Sequence, residues 1–229
     1  MSKNTELDKL FDEWAHHGYG PGKFVRDGIV NEGLWNKKPK VLFLLKETNG
    51  NDKKYAPLLK EVYSNDLRLL WDVDQWNKIG YLGSAIHEVT TDFIPDFDSA
   101  KKNYKEACKR LAVVNLKKSS GGSLTDSGEL FRHFKDDKSG KETANTKREI
   151  EIIGPDIIIF GGVFDIVMGL EMFGKKYPIS ERVYRFERLN ESIVGIDFVH
   201  PNARVAGDIL YYALAKIYQN YLRAELQAS

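Results

Sequence analysis

The chain has 229 residues, with 34 Lys and Arg set against 33 Asp and Glu, a formal net charge of +1 that neither demands nor excludes a polyanionic partner. That length suits one sizeable α/β domain with its own core and leaves too little for two. No apolar stretch approaches the roughly 20 residues of a membrane span and residues 1–12 are polar rather than signal-like, so the expectation is a cytoplasmic protein without membrane contact. Cys108 is the single cysteine, which excludes an intrachain disulfide, a cysteine-based zinc site and a cysteine-ligated iron–sulfur cluster.

In chain order, the first unusual segment is His16-His-Gly-Tyr-Gly-Pro-Gly-Lys-Phe-Val-Arg-Asp-Gly28. Two adjacent histidines cannot make a metal site without a third ligand nearby in space, and they are read as non-metal. The glycines imply a tight loop. Residues 40–45 form a short apolar run expected to be a buried parallel strand, breaking abruptly into Lys46-Glu-Thr-Asn-Gly50. A helix is expected over 53–63. An aromatic-rich helical insertion follows at about 65–98, with Trp71, Trp76, Tyr81 and Phe93, whose tryptophans read as core.

A helix over 99–110 leads to a second strand, 111–115, ending in Asn115. Residues 117–145 are polar, begin with Lys117, Lys118, Ser119 and Ser120, and show no apolar period, the mark of a functional or mobile loop. The stretch 109–148 carries more basic than acidic residues, so a local positive face is compatible with the balanced total. Then come a helix over 143–153, a strand over 156–160 closing on Gly161-Gly162, a helix over 163–173 and a strand over 192–199. His200-Pro-Asn-Ala-Arg204 follows, and then a helix over 206–226 with Ile209, Leu210, Ala213, Leu214, Ile217 and Tyr221 at helical spacing. Strands alternating with helices imply crossover units. The expected fold is α/β, a three-layer sandwich with a central four-stranded, mainly parallel sheet flanked by helices, as one domain over 1–229.

Chemistry concentrates at the strand ends, where ligands bind in parallel α/β sheets. Glu47 alone would read as a helix-start or surface carboxylate. Asn115 offers a donor and an acceptor together, which suits the edge of a nucleobase. Gly161-Gly162 permits close approach of another backbone. His200, preceding a proline, is held out of helical geometry.

Taken in order, these four turns resemble the uracil-DNA glycosylase superfamily. Lys46-Glu-Thr-Asn-Gly50 looks like that family's first motif, Gly-Glu-Ala-Pro-Gly in one branch. Val113-Val-Asn115 is similar to its asparagine-ended strand, and Pro155-Asp-Ile-Ile-Ile-Phe-Gly-Gly162 to its "Pro-Asp-x-Ile-Ile-x-x-Gly-Gly" strand. His200-Pro-Asn-Ala-Arg204 resembles its His-Pro-Ser motif with a following wedge. The matches run from Lys40 to Arg204. The chain departs from the pattern where Lys46 replaces glycine, Asn49 proline and Asn202 serine, and it lacks the four cysteines of the cluster-bearing members.

The resemblance implies a monofunctional DNA glycosylase that hydrolyses the N-glycosidic bond of uracil or of a modified pyrimidine, phage hypermodified bases included. It would leave an abasic site, in base-excision repair or anti-phage defence, acting as a monomer on DNA without a cofactor. Glu47 would orient or deprotonate water and stabilise an oxocarbenium-like sugar, and His200 would donate to the base oxygen as the base departs. Lys46, Thr48, Asn49, Asn115, Gly161 and Gly162 would form the base pocket. Lys117, Lys118, Ser119, Ser120, Asn202 and Arg204 would contact DNA, Arg204 as the wedge that fills the gap left by the extruded base. Tyr55, Tyr63, Trp71 and Tyr81 are the candidates to stack on that base, and the glycine-rich loop over 16–28 would lie over the pocket with Arg26 or Asp27 near the base. The alternative is a catalytically inactive nucleic-acid or base-binding module on the same fold. A different α/β enzyme acting on a nucleotide is disfavoured, because no phosphate-cradling or dinucleotide fingerprint follows the first strand.

Overall fold

The computed structural model describes residues 1–16, 19, 23–47, 68, 76–119, 127–187 and 192–228. Helix α1 (Lys3–Ala15) opens on Ser2, whose hydroxyl accepts the Thr5 N–H, and its Leu7, Leu10, Phe11 and Trp14 recur at helical spacing and are all buried. Strand β1 (Gly28–Ile29) and a short helix α2 (Glu32–Trp35) lead to β2 (Val41–Leu45), five consecutive buried residues. Helices α3 (Asn77–His87), α4 (Phe97–Lys102) and α5 (Tyr104–Cys108) precede β3 (Leu111–Asn115). Helices α6 (Ser127–Asp136) and α7 (Lys141–Ile153) lead to β4 (Ile157–Gly161). The chain continues through α8 (Phe164–Gly169), β5 (Lys176–Ser180), β6 (Val183–Glu187), β7 (Ser192–Phe198) and α9 (Gly207–Ala228).

The strands form one mixed sheet of order β1-β3-β2-β4-β7-β6-β5. Its centre, β3-β2-β4-β7, is parallel throughout, with Leu45 opposite Asn115, Leu44 opposite Phe160 and Gly161 opposite Phe198. Successive β2 side chains face opposite layers, as the pleat requires. Val41, Phe43 and Leu45 pack with α3 and α9, whereas Leu42 and Leu44 pack with α1, α7 and α8. This is a sheet between two helical layers, each closing its own core. No described helix is long and apolar enough to cross a membrane.

Several expectations need correction. Among the described residues the sheet has seven strands, not four, because antiparallel β1 borders β3, and antiparallel β6 and β5 extend the sheet beyond β7. These additions escape a search for apolar runs: β1 is two residues long, and β5 is an edge strand whose residues are exposed or half-buried and include Pro178. Residues 117–145 are not a continuous loop. They contain α6, anchored by only two buried side chains, Leu130 and Phe134, one turn apart. The helix expected over 99–110 is broken at Asn103 into α4 and α5. The one expected over 163–173 stops at Gly169. Within the aromatic-rich insertion, α3 is a core helix that buries Tyr81, and Trp76 at its start is also buried. The helix expected over 53–63 lies outside the described residues, as do Tyr55, Tyr63 and Trp71.

Candidate functional site

The four parallel strands end side by side and in an order that sets the site. The connection leaving β2 carries α3, α4 and α5 across one face, whereas those leaving β3 and β4 carry α6, α7 and α8 across the other. Loops therefore diverge between β2 and β4, the switch point at which open α/β sheets bind ligands. Glu47 follows β2 and Gly161 ends β4, on the two sides of that point. Asn115 ends β3 on the outer flank of Glu47, and His200 follows β7 beyond Gly162. At about 4.8 Å between neighbouring strands, the row spans about 14 Å.

Backbone pairing continues past the strands. Leu116 N–H donates to Leu45 O at 2.9 Å and Lys117 N–H to Lys46 O at 3.0 Å, so the segments carrying Glu47 and Lys117 run alongside each other. Gly162 N–H donates to Phe198 O at 2.8 Å. A Cβ on Gly161 would lie 2.6 Å from Leu45 Cδ2 and 3.2 Å from Pro201 Cδ. Gly162, at φ +70°, has the His200 backbone nitrogen 3.4 Å from where its Cβ would be. The close approach that these glycines permit is thus that of the His200-Pro201 turn and of β2.

Glu47 has a side chain only 5% exposed, with Lys117 Nζ 2.9 Å from Oε2. Both carboxylate oxygens are buried and neither has a hydrogen bond of good geometry among the described residues, so the ammonium is an ion-pair partner that leaves the carboxylate's hydrogen-bonding capacity unmet. Lys117 also borders a cleft of about 320 Å³ walled by Glu129, Leu130, Arg132, His133 and Asp136. Lys46 donates from Nζ to Ser127 Oγ at 3.0 Å, tying the first strand end to the start of α6.

His200 Nδ1 accepts the Asn202 N–H at 3.1 Å. In the neutral ring the proton therefore resides on Nε2, which becomes a hydrogen-bond donor. Burial lowers the His200 pKa below the ordinary histidine value, and the like charges of Lys46 and Lys78 lower it further, so the ring is neutral at pH 7. Sequence reasoning missed Lys78. Its available signal was a cation in the first turn of α3, where the helix dipole disfavours one.

Asn115 is buried, and its partner is Asp27. Asp27 Oδ2 accepts both the Asn115 backbone N–H at 2.7 Å and Nδ2 at 3.1 Å. Lys118 is fully buried, donating to Asp27 Oδ1 and, at 2.9 Å, to Glu149 Oε1, with its ammonium 5.5 Å from the Phe11 ring centre and 5.4 Å from that of Trp14. Burial drives the Glu149 carboxyl well above the usual range, against the opposing pull of the Lys118 ammonium.

These contacts revise the expected DNA-contacting and stacking sets. Lys118 cannot touch a phosphate, because its charge is consumed inside the core. Lys117 is engaged by Glu47. Tyr81 is buried edge-on against Phe97 and is not a stacking platform. Arg26 is drawn away to α1 by Asp8 and Asp12. Asn202 and Arg204 are exposed beside His200, and Ser119 is half-buried. Thr48, Asn49 and Ser120 lie outside the described residues. His16 is exposed at the end of α1, and no group of three or more His, Cys, Asp or Glu able to hold a metal is found among the described residues.

No protein-family model matches the chain, and no curated protein matches it.

Proposed function

We propose that this protein is a monofunctional DNA glycosylase acting on uracil or a modified pyrimidine. The observation that carries the reading is the placement, on the two sides of one switch point, of a buried carboxylate with no hydrogen-bond donor among the described residues and a neutral imidazole whose Nε2 bears the proton. Breaking a glycosidic bond leaves positive charge on the sugar and negative charge on the base, so a catalyst needs two opposite stabilisers a few ångströms apart.

Glu47 supplies the first. Its carboxylate faces the developing oxocarbenium and accepts a proton from the water whose oxygen bonds to C1′. Lys117 supplies the opposite charge that a buried carboxylate needs. His200 Nε2–H supplies the second, donating to the base oxygen on which negative charge collects. Lys46 and Lys78 add favourable field there, and the departing base ends by taking up a proton. Asn115 reads the base edge, and exposed Arg204 enters the stack vacated by the flipped nucleotide.

Oligonucleotides carrying uracil, thymine mismatches or hypermodified cytosines, assayed for alkali-labile abasic sites, test this reading. At least one is expected to be cleaved, with Glu47→Gln lowering the rate about 10²- to 10⁴-fold and His200→Ala about 10²- to 10³-fold. Full activity in both variants refutes the assignment. A binding module without catalysis is favoured by one observation, the engagement of Glu47 by Lys117. Its signature is salt-sensitive DNA binding with no abasic sites on any of these substrates.

A further inference from the structure

Asp27 has a role that the reaction scheme leaves unused. An ionised carboxylate can only accept hydrogen bonds, so the Asn115 amide must turn its NH₂ toward Asp27 Oδ2. The opposite orientation would press Oδ1 against Oδ2, two oxygens with no proton between them, inside a core where an unmet acceptor is costly. Asp27 cannot swing aside to relieve that clash. Lys118 holds its other oxygen, Glu149 holds Lys118, and the Phe11 and Trp14 rings enclose the ammonium. The backbone N–H of Asn115 fixes the same Asp27 oxygen a second time, at 2.7 Å.

An asparagine free to rotate by 180° exchanges its donor and its acceptor. It then reads a pyrimidine with a 4-oxo group and N3–H as well as one with a 4-amino group and a bare N3. We propose that Asp27 is a specificity-determining positioning residue that holds the Asn115 amide in one orientation and so makes the pocket accept one of these two edges and reject the other. This rests on the reading of Asn115 as a base-edge contact. It extends that reading by assigning selectivity to a residue that touches no substrate.

The test uses the full chain and measures binding, so that it does not depend on catalysis. Single-stranded oligonucleotides with one uracil or one cytosine, and the free bases as competitors, are compared for the unaltered protein, Asp27→Asn and Glu149→Gln. The unaltered protein is expected to prefer one edge by about a hundredfold or more, and Asp27→Asn to compress that preference to within about tenfold. Glu149→Gln disturbs the same buried network without touching Asn115, and is expected to lower the melting temperature while keeping the preference. If Asp27→Asn does not fold, hydrogen exchange of the Asn115 side-chain amide in the unaltered protein decides the orientation claim. Slow exchange supports the lock, and exchange at the rate of an exposed asparagine overturns it.

Equal binding of both edges by the unaltered protein, or an unchanged preference in Asp27→Asn, overturns the inference even if abasic sites form. Selective binding with no abasic sites leaves the inference standing and removes the catalytic reading. Binding of neither base overturns the inference, and the abasic-site screen alone then decides the catalytic reading.

Discussion

The two walls of the crevice are built on opposite electrostatic plans. On the β2–β3 side, charges are matched across short distances: Glu47 with Lys117, and Asp27 and Glu149 with Lys118. On the β7 side, a neutral His200 lies in the field of Lys46 and Lys78, with no carboxylate among the described residues that shift it. The first wall satisfies itself and needs no ligand to be stable. The second keeps its ring uncharged and presents an uncompensated positive field, which would favour a group developing negative charge. Balanced net charge over the whole chain conceals this division.

The matched wall breaks most severely at its centre. Lys118→Ala strands Asp27 and Glu149 without their cation, and is expected to cost about 3–5 kcal/mol in chemical denaturation. An unchanged midpoint would mean that the network is not formed in solution. A smaller effect should appear with pH. His87, half-buried at the opposite end of the sheet with Nε2 3.2 Å from Pro39 O, has its pKa lowered to about 4, first by desolvation and then by the charge of Arg110. The unfolded chain takes up that proton near pH 6.5. Stability is therefore full above that pH and falls by roughly 3 kcal/mol as the pH drops toward 4, with His200 adding a loss of the same sign. His87→Gln should flatten the larger part of this slope in thermal melts across that window.

Finer discrimination between the walls comes from salt. Lys78→Ala should leave folding unchanged and reduce the slope of log binding constant against log salt by about one, whereas Lys118→Met, if folded, should leave that slope alone. A change of slope in Lys118→Met would put that lysine back at the DNA surface and dissolve the distinction drawn between the two walls.

The central four strands are legible in the sequence because burial on both faces writes them as unbroken apolar runs such as Val41-Leu-Phe-Leu-Leu45 and Ile157-Ile-Ile-Phe160. The edge strands carry mixed composition, since one side of each faces solvent or the chain turns after a few residues. Of the site, Glu47 and His200 were legible as polar residues placed where an apolar run stops. The partners were not. Asp27 and Lys118 are 91 positions apart, and Lys118 and Glu149 are 31 apart; nothing local distinguishes a lysine that will be buried from its neighbour Lys117, which remains partly exposed. Alternation along the segment after β3 sends one inward and the other along the sheet edge, a distinction only the register supplies.

Gly161 sets a dimension. Leu45 on one flank and Pro201 on the other close over the volume that a single methyl group would fill, so the separation between the Glu47 and His200 turns is gauged by a missing side chain. Alanine there would act as a spacer and widen the gap, changing which ring sizes can be gripped by both walls at once. The aperture of the crevice is thus encoded in the one place along β4 where the sequence offers nothing.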